Sequence, residues 1–326
     1  MPERRAVRIA LAGDTMLGRA VAETIARTRR PPIAEEVVEI AAEADLFVLN
    51  LECCISARGR RWPAPGKPFF FRAPPLAAEL LAAIGVDCVT LSNNHALDYG
   101  SQALLDTLRL LDDAGIAHVG AGADEEAARA AVTLAASGRS VAVVAASDHP
   151  SDFAAASRRP GIAFADLRAE PDGAWLPDAV RGARQRADIV LTSPHWGPNM
   201  TPRPLGYVRR AAHALVAAGA TLVAGHSAHV FHGAAGRVLY DLGDFVDDYA
   251  VDPRLRNDLG LLFLVELADG RAPALEAVPL KLDFCHTTLA RGDEADWIRR
   301  RFTAACAELG TPVVERDGRL VAELAE

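Results

Sequence analysis

The sequence predicts an α/β fold with mixed β-sheets, and two patterns lead to this class. Short apolar runs recur along most of the chain, repeatedly closed by Gly, Asp, Asn or His, and stretches with the 3.6-residue period of helices follow them. After residue 258 the pattern changes to two apolar runs around Ala268-Asp269-Gly270, which is typical of a β-hairpin. The alternation predicts parallel strands and the hairpin predicts antiparallel ones, so the sheet is expected to be mixed.

The elements follow from these patterns in chain order. Apolar runs that end in turn-forming or polar residues predict strands at residues 7–12, 45–49, 86–91, 117–119, 140–145, 188–192, 221–224 and 238–242. Helical periodicity between them predicts helices at residues 74–83, 102–114, 179–186 and 205–218, the last with a one-sided apolar face. The hairpin strands are predicted at residues 261–266 and 275–280, and a final helix at 294–309 is expected on the outside.

The chain has no Pro/Gly/Ser-rich linker and no charge run that would divide it. The proline-rich segment 58–75 is interpreted as a long ordered loop instead of a hinge. We therefore predict a single domain over residues 1–326, with a core from about residue 7 to 285.

Composition excludes several classes of protein. The 326 residues are half apolar, as in a globular protein, and the net charge of −8 comes with scattered basic residues that form no stripe for nucleic acid. The basic start, residues 1–8, precedes an apolar stretch too short for a signal peptide or a membrane anchor, so a soluble cytoplasmic protein is expected. The five cysteines show no paired spacing, which favours reduced thiols.

Two histidines leave the predicted strand 221–224 together. His226 follows Gly225 directly and His229 comes three residues later, and neutral imidazole is the commonest side-chain ligand of transition metals. A glycine at this point lets the backbone turn sharply and approach an ion. The same residues also fit a polar surface loop with His232, so the segment alone leaves both interpretations open.

Polar residues also follow the other predicted strands. They are Asp14, Asn50, Glu52, Asn93, Asn94, His95 and His195. Because the functional crevice of an α/β sheet forms beyond the carboxyl ends of its strands, we expect these side chains to meet. Asn50 and Glu52 are two residues apart, so in an extended backbone their side chains point to the same side. Taken singly, Asp14 also fits a helix cap and Asn94 a turn, but the joint occurrence favours a metal centre.

These segments, in this order, resemble the bacterial CapA family of poly-γ-glutamate capsule proteins. The match runs from about residue 7 to 250, and its most specific part is the block Asn93-Asn94-His95-Ala96-Leu97-Asp98-Tyr99-Gly100. That family is similar to the calcineurin-like metallophosphoesterases. The resemblance implies a four-layer αββα sandwich with mixed β-sheets and a metal centre at the loop ends of the sheets.

The resemblance also implies roles at matching positions. One or two divalent ions (Mn, Fe or Zn) are expected on one set of ligands, with Glu52 as the bridge: Asp14, Glu52, Asn94, His195, His226 and His229. Hydroxide activated by the metals then attacks phosphorus. His95 is expected to protonate the leaving group as general acid, with Asp98 holding its imidazole in the useful tautomer.

Contacts to a small anionic substrate, in particular a phosphorylated one, are expected from four residues: Asn50, Arg19, Arg72 and Asp244. A guanidinium matches phosphate or carboxylate oxygens, although each arginine fits an ordinary surface position equally well. Asp244 belongs to an acidic segment that also fits a solvated loop.

Two departures from ordinary metallophosphoesterases leave the number of ions open. Met16 stands where those enzymes have a histidine ligand, and the second carboxylate is Glu52 instead of an aspartate. We expect a metal-dependent hydrolase of a phosphate ester. The alternatives are metal-assisted attack on a γ-glutamyl, amide or ester carbonyl, and a non-catalytic metal-binding subunit, against which His95 and Asp98 argue. The sequence leaves substrate and oligomeric state open.

Overall fold

The structure is a computed structural model that describes residues 5–168 and 175–325. Its strands are β1 (Val7–Thr15), β2 (Leu46–Leu51), β3 (Cys54–Ile55), β4 (Arg72–Ala73), β5 (Cys88–Thr90), β6 (Ala117–Val119), β7 (Ala121–Gly122), β8 (Val132–Ala136), β9 (Arg139–Ser147), β10 (Gly161–Ile162), β11 (Ile189–His195), β12 (Leu222–Ala224), β13 (Ala234–Ala235), β14 (Val238–Leu239), β15 (Asp244–Val246), β16 (Leu259–Leu267), β17 (Ala274–Leu282), β18 (Thr287–Leu289), β19 (Val314–Arg316) and β20 (Arg319–Glu323). Its helices are α1 (Arg19–Thr28), α2 (Glu35–Ala41), α3 (Leu76–Ala83), α4 (Gly100–Asp113), α5 (Glu125–Arg129), α6 (Trp175–Arg184), α7 (Gly206–Ala217) and α8 (Gly292–Ala307). Every strand and helix predicted above overlaps one of these elements.

The larger sheet joins both halves of the chain. Its strand order is β19-β20-β17-β16-β1-β2-β5-β6, with β15 beside β1 and β18 beside β17. The half from β1 to β6 is parallel, and β15 also pairs in parallel with β1. The hairpin β16–β17 adds antiparallel strands on the other side of β1. The prediction of a mixed sheet with a C-terminal hairpin is confirmed.

The smaller sheet has the order β13-β14-β12-β11-β9-β8. Its four central strands are parallel, and β8 and β13 are antiparallel additions at the two edges. The parallel strands point their carboxyl ends toward the same side of the sheet, which is where an α/β fold places its functional residues.

Alternation of side chains along β1 shows how the layers stack. Val7, Ile9 and Leu11 belong to the core between the two sheets, whereas Ala10 and Ala12 belong to a second core against α1, α2, α3 and α4. A third core packs the outer face of the smaller sheet against α6 and α7. Successive residues of a strand face opposite sides, so each sheet buries both faces. The predicted four-layer αββα sandwich is confirmed.

The C-terminal helix differs from its prediction in place. Helix α8 is near the predicted range, but Ile298, Phe302 and Cys306 are buried in the core between the sheets instead of packing on the outside. The Phe302 ring lies 5.9 Å from the ring of Phe263 and 6.2 Å from that of Phe231. The expectation of an outer helix was wrong because α8 closes one end of the inter-sheet core.

Three further features bear on the predictions. All five cysteines are buried and unpaired, as expected for reduced thiols. Within residues 5–168 and 175–325, no helix combines the length and the apolar character that a membrane span requires. Residues 1–4 of the basic start lie outside the described residues, and the single-domain organisation over residues 1–326 stays a prediction.

Candidate metal centre

Asp14 is held at the end of β1 by three neighbouring segments. Its backbone N–H donates to the Gly243 carbonyl over 2.8 Å, and a Cβ at Gly13 would lie 1.9 Å from that same oxygen, so only glycine permits the close approach. Asp14 Oδ1 accepts from Asn50 Nδ2 at 2.8 Å, and Oδ2 accepts from the Ser227 N–H at 3.2 Å. The fully buried carboxylate is therefore oriented before any ligand arrives.

Asp14 forms a first candidate cluster with His195 and His226. His195 is the last residue of β11 and pairs with His226 across a parallel bridge, which places the two imidazoles side by side. Their Nδ1 atoms are 2.8 Å apart, and His226 Nδ1 is 3.6 Å from Asp14 Oδ1. The cluster offers two nitrogens and one oxygen within 4.8 Å of one another, a donor set suited to a transition-metal ion.

A second candidate cluster joins Asp14 to His229 and Asp244. His229 Nδ1 lies 3.2 Å from Asp14 Oδ2 and 2.8 Å from Asp244 Oδ1. The register of the parallel pair β1–β15 sets Asp244 directly opposite Asp14. Asp14 thus belongs to both clusters, and the bridging role expected of Glu52 stays a prediction. Asp244, expected to contact substrate, lies where it could also be a ligand.

Met16 does not face this centre. Its side chain is buried in the core between the larger sheet and the helices. The ligand that a histidine would provide there is therefore missing, as the sequence indicates. The third donor of the second cluster is instead an Asp244 oxygen, because β15 runs beside β1.

Buried atoms without partners show that the site fits a cation. Both oxygens of Glu52, Nε2 of His229 and Oδ2 of Asp244 are buried and make no hydrogen bond within the part of the chain that the structure describes. Glu52 Oε1 is 3.9 Å from His195 Nε2 and 3.8 Å from His95 Nε2. Leaving buried polar atoms unpaired costs about 1–3 kcal/mol each, and a metal ion removes that cost by accepting their lone pairs.

The electrostatics of the site agree with this fit. Burial, helped by the nearby Asp14 charge, raises the pKa of Glu52 well above its usual range, and burial does the same to the pKa of Asp244 although His229 opposes it. Burial also lowers the pKa of His195 well below its usual value and that of His226 to about 4, so both imidazoles are neutral near pH 7. Neutral imidazoles of this kind can bind a divalent ion directly. The pKa of His229 is instead raised well above its usual value, because the charges of Asp244 and Glu52 outweigh burial, so an ion in the second cluster would displace the His229 proton.

His95 forms a hydrogen-bonded dyad with Asp98 beside the clusters. His95 Nδ1 lies 2.6 Å from Asp98 Oδ2, which also accepts the Phe71 N–H at 2.6 Å, while the Phe71 ring packs on the imidazole. Lys67 Nζ is 2.8 Å from Asp98 Oδ1 and donates to the Asn94 carbonyl. Sequence reasoning missed Lys67, which lies in the proline-rich loop and has no motif around it.

Two further predicted residues, Asn94 and Asn50, lie next to the clusters. Asn94 Oδ1 lies 3.1 Å from His195 Nε2, at the edge of the first cluster. Asn50 is 1 % exposed, and its Oδ1 accepts from Thr90 and Asn93 while its amide nitrogen holds Asp14. Asn50 therefore positions Asp14 and is not free to contact substrate, contrary to expectation.

The two predicted substrate-binding arginines separate. Arg19 reaches Asp248 at 3.3 Å and lies over the Phe69 ring, at the rim next to Phe71. Arg72 instead donates to the Arg58 carbonyl and stacks on Tyr99. Phe71 and Arg72 are consecutive in an extended segment, so the first faces His95 and the second faces away. The expected substrate contact of Arg72 does not fit this orientation.

Sequence reasoning also missed Asp148 and His149, which follow β9. Strand β9 extends to Ser147, two residues beyond the predicted end, so these side chains stand at a strand end like the other site residues. The ring of His149 lies 5.2 Å from that of His195. The apolar run 140–145 followed by polar residues was the available signal.

Gly225 is required for packing, not for approach to an ion. A Cβ there would lie 2.3 Å from Trp196 Nε1 and 2.5 Å from the Tyr240 carbonyl, which accepts the indole N–H. We expect Gly225→Ala to destabilise the protein by about 1–3 kcal/mol in denaturant unfolding, because the indole must shift. Gly182→Ala on helix α6 is the control and should be neutral or stabilising, because the nearest atom outside the helix backbone is the flexible Arg186 guanidinium at 3.6 Å. Equal effects of the two substitutions would contradict this account.

Comparison with known proteins identifies the family. The profile described as bacterial capsule synthesis protein PGA_cap matches residues 8–249. A probable polyglutamine synthesis accessory protein of Mycobacterium tuberculosis is 30 % identical over 97 % of this chain and 95 % of its own, and the capsule biosynthesis protein CapA of Bacillus anthracis is 26 % identical over 86 % and 68 %. Among solved structures, the calcineurin-like phosphoesterase YfkN from Bacillus subtilis matches with 12 % identity and a TM-score of 0.40, over 94 % of this chain and 100 % of that one. The chain belongs to the PGA_cap family of bacterial capsule synthesis proteins.

Proposed function

We propose that this protein is a metal-dependent hydrolase that acts on phosphate esters, with His95 as general acid. One observation carries the proposal. Buried nitrogen and oxygen donors gather around Asp14, among them unpartnered atoms of Glu52, His229 and Asp244, and they lie next to a histidine whose second nitrogen is held by a carboxylate. Ligands alone suit a binding site, whereas a positioned proton donor beside them suits catalysis.

The residues that would hold the metal are those of the two clusters together with Glu52 and Asn94. Asp14 is the shared ligand, and the mixed nitrogen and oxygen donors favour Mn, Fe or Zn. A bound divalent ion supplies Lewis-acid activation of water and neutralises charge that develops on the substrate. Asn50 and Ser227 keep Asp14 oriented toward this position.

The protein's own residues handle the proton of the leaving group. Because Asp98 accepts the hydrogen bond from His95 Nδ1, Nε2 is the nitrogen that faces Glu52 and the site. Phe71 and Lys67 hold Asp98 in turn, which restricts the imidazole to one orientation. A fixed donor of this kind contributes about 100- to 10,000-fold to the rate of bond cleavage.

The names of the relatives favour a second function with the same ligands. The proteins from M. tuberculosis and B. anthracis are named for polyglutamine synthesis and capsule biosynthesis, and a polymer of amino acids is joined by amide bonds. Metal-assisted attack on a γ-glutamyl carbonyl is therefore the alternative. The third hypothesis is a non-catalytic metal-binding subunit. This hypothesis leaves the His95–Asp98 dyad without a role.

Activity of metal-loaded protein separates these functions. Protein stripped with chelator and reloaded with Mn, Fe or Zn is assayed with 4-nitrophenyl phosphate, bis(4-nitrophenyl) phosphate and γ-glutamyl-4-nitroanilide. Metal-dependent release of nitrophenol supports the proposal. Release of nitroaniline alone supports the carbonyl function, and tight metal binding without turnover of any probe supports the binding subunit.

Metal removal should also lower stability. Since the ligand set exists only in the folded chain, metal binding stabilises folding by about 2.7 kcal/mol when the free metal is 100 times its dissociation constant. We expect thermal unfolding at a lower temperature after chelation and recovery on addition of metal. An unchanged unfolding temperature, with and without Mn, Fe and Zn, would contradict a metal centre at Asp14.

A further inference from the structure

A second histidine–aspartate dyad lies beside the candidate metal centre, directly after β9 of the smaller sheet. His149 Nδ1 is hydrogen-bonded to Asp148 Oδ1 directly after β9. The His95–Asp98 dyad comes from the larger sheet, whereas this dyad comes from the smaller one. His195 lies between them, near Asn94 of the first dyad's loop and 5.2 Å, ring to ring, from His149.

The carboxylate of this dyad is fixed by helix α7 and by the segment that follows β11. Asp148 Oδ2 accepts from the Tyr207 hydroxyl at 2.8 Å and from the Gly197 N–H at 3.2 Å. The Asp148 N–H donates to the His195 carbonyl at 3.1 Å. The Asp148 side chain is 1 % exposed. Because its carboxylate binds His149 and its N–H binds the His195 carbonyl, Asp148 links the two histidines.

The imidazole of His149 is open on its other edge. Its side chain is 29 % exposed, whereas that of His195 is 1 % exposed. Nδ1 is occupied by Asp148, and Nε2 has no hydrogen-bond partner in residues 5–168 and 175–325. A buried carboxylate that orients an imidazole with a free Nε2 is the arrangement by which enzymes present that nitrogen to a reacting molecule.

We propose that His149 contacts the substrate through Nε2 on the smaller-sheet side of the metal centre, with Asp148 as its positioning residue. The inference rests on the proposed function and assigns it a second point of contact. The group recognised is the phosphate itself, whose O⁻ oxygens accept hydrogen bonds. Nε2 would donate one such bond while Nδ1 donates to Asp148.

The test compares His149→Gln with His118→Gln in metal-loaded protein. His118 is a matched control, because it forms a pair with Asp112 at 3.1 Å on the surface and its side chain is 20 % exposed. The readouts are metal content, thermal unfolding, kcat and KM for 4-nitrophenyl phosphate, and binding of inorganic phosphate by calorimetry. Losing a hydrogen bond to a charged group weakens binding by about 10- to 100-fold.

We expect His149→Gln to raise KM and the phosphate dissociation constant by that factor, with metal content and unfolding temperature unchanged, and His118→Gln to match the wild type. Imidazole added to His149→Ala should restore part of the lost activity. Unchanged phosphate binding and KM in His149→Gln would overturn the inference, as would a parallel loss of metal, which would make His149 a support of His195. If the wild type turns over neither phosphate probe, the proposed function fails, and the phosphate titration still decides whether His149 binds the oxyanion.

Discussion

Asp14→Asn is expected to remove metal binding and hydrolysis together. Asp14 is the one residue common to both candidate clusters within the described chain, so its loss weakens the binding of every ion that they hold. Substituting residues that merely support a ligand lowers metal affinity by about 10- to 100-fold, and we expect at least the upper figure for a shared ligand. The amide is nearly the same size as the carboxylate and keeps one oxygen to accept from Asn50, so the fold should be retained.

The measurement is metal stoichiometry by elemental analysis after dialysis, with the rate of 4-nitrophenyl phosphate hydrolysis at fixed free metal. Asp87→Asn is the control, because Asp87 accepts the Phe47 N–H at 2.7 Å before β5, at the opposite end of the same sheet. Its metal content should equal that of the wild type. Full metal occupancy in Asp14→Asn would show that Glu52 and the histidines hold the ion without Asp14 and would reject the shared-ligand interpretation.

His95→Gln is expected to lose turnover and keep its metal. His95 belongs to neither cluster, and its Nε2 is 3.8 Å from the nearest Glu52 oxygen, so metal content should not change. Loss of a general acid lowers kcat by about 100- to 10,000-fold. The loss should be larger for an alkyl phosphate than for 4-nitrophenyl phosphate, because an alkoxide needs protonation more than nitrophenolate does.

This dependence on the leaving group is what separates an acid from a structural residue. Asp98→Asn should show a smaller loss of the same kind, since it leaves the imidazole in place but removes the negative charge that holds its Nδ1 proton. Asp98 also accepts the Phe71 N–H, so the unfolding temperature of this variant must be compared with the wild type. Equal losses for the alkyl and the nitrophenyl substrate would remove the acid role of His95, and loss of metal would make it a ligand instead.

Much of the fold could be predicted because its signals are local. The strands alternate with amphipathic helices, and each run of apolar residues ends in a turn former or polar residue. The position of α8 could not be predicted in this way. Its apolar residues indicate that one face is buried, but the partner of that face is the end of the inter-sheet core, which forms only when strands distant in sequence meet.

The candidate site shows the same division. His195, His226 and His229 were recognised because each follows an apolar run, and the structure brings them to Asp14. Asp148 and His149 were missed because the predicted strand stopped two residues short of the end of β9. Asn50 was predicted at the site as a substrate contact. Its side chain instead contacts Asp14 of β1 and Asn93 of the loop after β5.

Local patterns establish the α/β class, the order of the strands along the chain and the polar residues at their ends, since these depend on neighbours within a few positions. Tertiary contacts are needed to place Asp14 in two clusters, Asp244 opposite it across β1 and β15, and His149 next to His195. These relations depend on strand register and on the packing of one sheet against the other. Both are set by contacts between residues far apart in the chain, which no local pattern encodes.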